Sequence, residues 1–183
     1  YNEGEMIRVV AYTNAAKAKL MLNNSEVGAT QNYNDDSGVI YWDVPFSKGE
    51  LKVIGMDEEN NEVSSYVINS SNQPHSIKII SDEQIIDKDD VAQVVLQVVD
   101  ENGVPVMLSD NEITCDLSNN GILLGLEGSN NSDMSDYTDN KHRVYHGRMI
   151  AFIKSKGDNI SEDIRVRFTS PWLKSAETSI KIK

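Results

Sequence analysis

At 183 residues, with 39% hydrophobic and 25% charged side chains, the chain is long enough for two small domains with a core each, and its composition excludes wholesale disorder. A formal charge of −12 excludes the basic surface that a nucleic-acid backbone or an anionic membrane selects. The acidity is shared, because residues 1–72 hold five Lys and Arg against eleven Asp and Glu and the remainder twelve against eighteen, so each part carries −6.

Short stretches of period-two alternation, separated by clusters of Asn, Asp, Ser and Gly, predict strands along the chain and no long amphipathic helix. The first strand is predicted over residues 6–12 and the second over 18–22. Asn23-Asn24-Ser25 then offers a tight turn before Val27 and Gly28, since Asn tolerates the left-handed conformation a hairpin needs. A strand over 39–44 ends at Pro45, which cannot donate to a ladder and marks an edge or an exit. Strands over 51–56 and 62–68 flank the polar turn 57–61 as a hairpin, giving five or six strands in the first part. Asn69-Ser70-Ser71-Asn72-Gln73-Pro74 has no large apolar side chain and ends in proline, which places a linker there and predicts domains 1–72 and 73–183.

The second domain restarts over 76–81. The continuous Val and Leu content of 91–99 predicts a strand buried on both faces or at the centre of a sandwich. Asp100-Glu101-Asn102-Gly103 carries the Asn-Gly hairpin signal, and four further strands are predicted over 112–117, 147–154, 164–170 and 175–182. Between 119 and 145 the periodicity fails and Gly, Asn, Ser and Asp dominate. A loop of that length in a small domain is either functional or disordered. The expected fold class is all-β, as two tandem immunoglobulin-like β-sandwich domains.

Cys115 is the single cysteine, so no intramolecular disulfide can form. No run approaches the roughly 18 apolar residues of a membrane helix, and no signal segment opens the chain. Tyr1 in place of an initiator methionine points to an interior segment of a longer polypeptide, whose export signal would lie elsewhere.

Tyr12-Thr13-Asn14, Lys19-Leu20-Met21-Leu22-Asn23 with Gly28, and Trp42-Asp43-Val44-Pro45-Phe46 with Gly49 and Leu51 resemble the small domain that follows the catalytic barrel in Bacteroides-type β-galactosidases of glycoside hydrolase family 2. Ala18, Asn24 and Lys48 stand where that family usually has Val, Gly and Pro. Residues 97–106, Gly121-Ile122-Leu123-Leu124-Gly125, and Arg143 with Gly147 resemble the invasin/intimin-like C-terminal domain of the same enzymes, with residues 127–133 replacing its usual Gly-Asn-Gly-Asp stretch. The resemblance implies a periplasmic, secreted or cell-surface parent that cleaves β-linked galactosides with two glutamates on a barrel. None of that barrel lies within these residues. The resemblance therefore implies accessory modules with no catalytic residue, no cofactor and a structural or spacing role, whose partner is the catalytic core of the parent chain. No nucleic acid and no membrane insertion are expected. A carbohydrate-binding module for poly- or oligosaccharide and an adhesin-type repeat are the alternatives.

Individual side chains bear on these roles. His142 and His146 have metal-ligand spacing only on a helix, which Gly147 and the strand-rich surroundings oppose, so they read as solvated loop histidines. Asp133, Asp136 and Asp139 recur every third residue, whereas a calcium loop places its ligands at every second position, so they read as a hydrated acidic loop with no metal. Cys115 alternates with Ile113 and Leu117 and is expected in the core. A retaining glycosidase needs two carboxylates about 5 Å apart, which the scattered acids of turns do not establish. For sugar stacking, Tyr41, Tyr137, Tyr145 and Trp172 are the candidates, with Tyr33 beside them. Trp42, within the Trp-Asp-Val-Pro segment that carries the resemblance, is expected as a core anchor, and alternation then turns Tyr41 outward.

Overall fold

The computed structural model describes residues 1–80, 85–156 and 162–183. Among them are sixteen strands and no helix, and the chain divides into two units, Tyr1–Ser70 and Ser71–Lys183.

The first unit contains β1 (Met6–Ala11), β2 (Lys17–Leu22), β3 (Ser25–Glu26), β4 (Gln31–Asn32), β5 (Ile40–Pro45), β6 (Glu50–Met56) and β7 (Glu62–Asn69). Strands β1 and β5 form a two-stranded sheet, facing a second sheet in the order β3-β2-β6-β7 with β4 also on β2. The Asn23-Asn24 turn forms as its residues dictate: both have positive φ, 50° and 66°, so Leu22 pairs with Ser25 and Met21 with Glu26. Alternation along β5 buries Ile40, Trp42 and Val44 and exposes Tyr41 and Asp43. The buried three meet Ala11, Ala18 and Leu20 in the core. Trp42 also satisfies its indole N–H, donating to the Ala29 carbonyl at 2.9 Å, as a buried indole must. Seven strands stand where five or six were expected, because β3 and β4 are two residues each, too short to show a period.

The second unit contains β8 (Ser76–Ile79), β9 (Ile85–Ile86), β10 (Val91–Val99), β11 (Glu112–Leu117), β12 (Gly121–Glu127), β13 (Lys141–Arg143), β14 (Arg148–Ser155), β15 (Ile164–Thr169) and β16 (Ala176–Ile182). Two sheets, β12-β14-β10-β8 and β13-β11-β15-β16-β9, enclose a core built on Phe168, Leu96, Ile113, Leu126, Met149 and Ile153, all fully buried. Ser81, the expected last residue of the first of these strands, lies outside the described residues. Strand β10 sits between β8 and β14, and its last four residues, Leu96 to Val99, are buried in succession. Double-sided burial, predicted for the whole run 91–99, holds over these four residues, whereas the first five alternate with Gln93 exposed.

Two expectations need correction. Residues 119–145 are not one structureless loop: β12 pairs with β14, and β13 pairs with β11. The β12 ladder slips between Leu123 and Gly125, which erases the period-two signal, and β13 is three polar residues long. The Asn102-Gly103 turn does close, with Gly103 at φ 80° and its N–H donating to the Asp100 carbonyl at 3.1 Å. It leads into a single Val99–Pro105 bridge and no full hairpin strand, because Pro105 has no N–H for a ladder. The buried Asp100 carboxylate holds this turn and the linker together, accepting N–H bonds from Asn72, Asn102 and Val104 at 2.8, 2.9 and 2.9 Å. These bonds, the Asn72 bond above all, hold its pKa below the ordinary aspartate range.

Candidate functional site

The turn before β14 is a two-residue turn. Tyr145 and Arg148 exchange backbone hydrogen bonds at 3.0 Å, with His146 and Gly147 between them at φ 49° and 70°, a mirror-image turn suited to the twist of the ladder. A Cβ at Gly147 would press on the Val106 carbonyl and the Gln97 amide, so the position needs glycine twice over. Gln97, itself buried, donates to the Val98 and Gly147 carbonyls at 3.1 and 3.0 Å and fixes the turn from below. Beside it, the end of β12 runs on through Gly128 and Ser129, and the Tyr145 backbone packs on Gly128.

These segments enclose an open hollow of about 360 Å³ whose walls include Tyr145, His146, Glu127, Arg148, Val95 and Met149. One ring of Tyr145, packed edge-on against His146 at 4.1 Å, stands with a carboxylate and a guanidinium over an apolar floor. Such a set can stack on the apolar face of a sugar and hydrogen-bond its hydroxyls. Glu127 and Arg148 had no signal in the sequence, since Glu127 ends the strand that the slipped β12 ladder conceals and Arg148, although it lies near the start of a predicted strand, reaches Glu127 only through the pairing of β12 with β14.

Of the four candidate aromatics, Tyr137, Tyr145 and Trp172 belong to the second unit, where among the described residues no two of their rings stack on each other. Tyr137 is exposed and its ring rests on Gly125 of β12, while its carbonyl accepts the Leu126 N–H at 2.8 Å. Tyr137 and Tyr145 therefore flank the same strand. Trp172 is 99% exposed in the β15–β16 turn, at φ 69°, a conformation a bulky residue rarely holds. Tyr41 belongs to the first unit and is already engaged, with the Arg8 guanidinium 4.5 Å from its ring centre. Arg8 in turn makes two 2.8 Å bonds to Asp43, which hold the pKa of that carboxyl below its ordinary range. Tyr33 is exposed near Gly38.

The histidines divide. His142, expected in solvent, lies on β13 opposite Ile113 and is only 8% exposed, with Nε2 3.5 Å from a carboxylate oxygen of Asp133. Its neighbours Lys141 and Arg143 point outward, so strand alternation is what buries it. His146 stays exposed, its Nδ1 3.2 Å from the Met107 carbonyl. Asp133, Asp136 and Asp139 accept backbone N–H bonds from Ser135, Thr138 and Asn140 at 2.9, 2.9 and 2.6 Å. Hydrogen bonds to Ser135 and Thr138 hold the first two acids below their ordinary range. Among the described residues no group of three His, Cys, Asp or Glu is disposed to hold a metal. Cys115 is buried and its thiol is pushed up to about 12, by burial first and by Asp116 second, so it is a core residue without nucleophilic character.

Residues 77–179, more than half of the chain, match the family of the glycoside hydrolase family 2 C-terminal domain 5, and residues 4–64 match a domain of unknown function (DUF4982). A β-galactosidase of Bacteroides ovatus is 27% identical over 160 residues, which are 86% of this chain and 19% of that protein. The crystal structure of a β-glycosidase from Bacteroides vulgatus superposes with a TM-score of 0.89 at 25% identity, covering 98% of this chain and 23% of the other. A glycosyl hydrolase family 2 member from Bacteroides cellulosilyticus gives a TM-score of 0.90 at 23% identity, over 99% of this chain and 23% of that one. The chain thus spans less than a quarter of each of these relatives.

Proposed function

The chain belongs to the glycoside hydrolase family 2 C-terminal domain 5 family, and we propose that it is the non-catalytic C-terminal accessory region of a β-galactosidase-like enzyme, bracing or spacing a catalytic core that lies outside these residues. One observation carries this assignment. Among the described residues, each carboxylic acid displaced from its ordinary range is displaced downward, Asp43 by hydrogen bonds from Arg8, Asp57 and Asp136 first by side-chain hydrogen bonds from Asn61 and Thr138, and Asp100 and Asp133 first by backbone N–H groups. A glycosidase acid must be displaced upward to hold its proton at neutral pH. Four of these acids, Asp57, Asp100, Asp133 and Asp136, tie turns together, and Asp43 ties β5 to β1 through Arg8. On the same assignment the parent is periplasmic, secreted or at the cell surface.

The test is turnover of aryl β-galactosides by the purified 183-residue chain. The expected rate equals the buffer blank; steady product release that follows the protein through purification would contradict the assignment.

A second function, glycan capture, is favoured by the hollow beside Tyr145. It predicts weak retention of the chain in affinity gels containing soluble galactans or other β-glycans, with Tyr145→Ala abolishing the retardation. Unretarded migration of the unaltered chain in every such gel would remove this second function.

A further inference from the structure

Strand β7 is the edge of the larger sheet in the first unit, and all eight of its residues are exposed. Its register places Tyr66 opposite Val53, which pairs with Leu20, and Ile68 opposite Leu51, which pairs with Leu22. Tyr66 and Ile68 therefore continue the sheet face on which Leu20 is completely buried. Even so, Tyr66 is 74% exposed and Ile68 52%.

The cause lies in the facing sheet, which has only two strands. Strand β5 touches β4 on the far side, so β1 is the strand nearer β7, and among the described residues nothing pairs with its outer edge. An apolar cleft of about 190 Å³ opens there, with Ile7, Val9, Phe46, Leu51 and Ile68 in its walls. Edge strands that face water are protected by lysine, proline or an inward charge. Apart from Glu62 at its start, which lies 4.0 Å from the Lys52 ammonium, β7 contains none of these.

We propose that an extended apolar segment of the parent polypeptide, from outside these 183 residues, lies in this cleft alongside β1 and completes the sandwich. Its main chain pairs with the free edge of β1, and its alternate side chains fill the cleft and cover Tyr66 and Ile68, which is strand addition to an open sheet edge. The proposal rests on the accessory-region assignment above. The parent is preferred to a second copy on two grounds. The matched relatives carry more than three quarters of their length outside the matched region, and edge-to-edge pairing of two copies would bring together two units of charge −6.

The test compares one substitution in two settings. In the full-length parent, Tyr66→Asp is expected to lower the melting temperature of the unit that contains it by about 3 °C or more and to open residues 62–69 to protease. In the 183-residue chain the same substitution is expected to shift melting by no more than about 1 °C, since the ring is already in water there. Val67→Asp, on the opposite face of β7, serves as the control and is expected to change neither. Equal shifts in both settings, or none in the parent, would overturn the proposal. So would a concentration-dependent dimer of the 183-residue chain that Tyr66→Asp abolishes. Turnover by the 183-residue chain alone is read separately: it would sink the accessory assignment without altering the melting comparison.

Discussion

The two units solve the same problem with unequal means. In the second, sheets of four and five strands close over a core in which Phe168, Leu96, Ile153 and Ile180 lose all contact with water. In the first, a sheet of two strands faces a longer one, and the buried cluster reduces to Ala11, Ala18, Leu20, Ile40, Trp42 and Val44. Apolar burial is what offsets the entropy of ordering the chain. The difference teaches that the second unit buries a core between two full sheets, whereas the first leaves the sheet face at Tyr66 and Ile68 open to water.

The largest expected effect is that of Phe168→Ala. Removing a fully buried ring should cost about 3–5 kcal/mol, seen in urea titration as loss of the second unit's transition at lower denaturant while Trp42 fluorescence keeps its own midpoint. If both midpoints moved together, the two units would be one cooperative body and the comparison would fail. Leu20→Ala probes the smaller core and should cost about 2–4 kcal/mol, which takes a larger share of a unit with less to lose. Persistence of a sharp Trp42 transition near its original midpoint would show the first core to be stronger than its size allows.

Gly147→Ala should cost about 1–3 kcal/mol through its positive φ and the crowding by Val106 and Gln97, and it should also reshape the hollow beside Tyr145. The smallest effect concerns pH. Asp100 is held below its ordinary range in the folded state, so its contribution is complete above about pH 4 and is lost as pH falls through the folded value. Asp100→Asn should accordingly lower the melting temperature of the second unit at pH 7 and flatten its decline on acidification. An unchanged acid limb would mean that Asp100 does not anchor the linker at Asn72.

Much of the fold is legible in the sequence, and the remainder is hidden for identifiable reasons. The resemblance of the Trp42-Asp43-Val44-Pro45 segment places Trp42 inside, alternation then turns Tyr41 outward, and alternation puts Cys115 in the core, because each lies on a strand whose period is unbroken. The slip in β12 conceals seven strand residues, since one displaced pair inverts the apparent pattern of Ile122, Leu123 and Leu124. His142 escapes a local reading because its burial depends on pairing with Ile113 of β11 and on Asp133 from the loop before it, contacts a short window does not contain. The hollow of Glu127, Tyr145 and Arg148 shares that origin. Strand β7 is evident from its own residues, but whether a second sheet covers it depends on how many strands the opposite sheet has.

Amide hydrogen exchange of the 183-residue chain measures the contrast between the units most directly. Leu96, Ile153 and Phe168 should exchange only through complete unfolding of the second unit, while amides of residues 63–69 exchange at least about a hundredfold faster through local opening. Protection of residues 63–69 equal to that of β14 would mean that the first unit is already closed, and would contradict the claim that its apolar face awaits a cover.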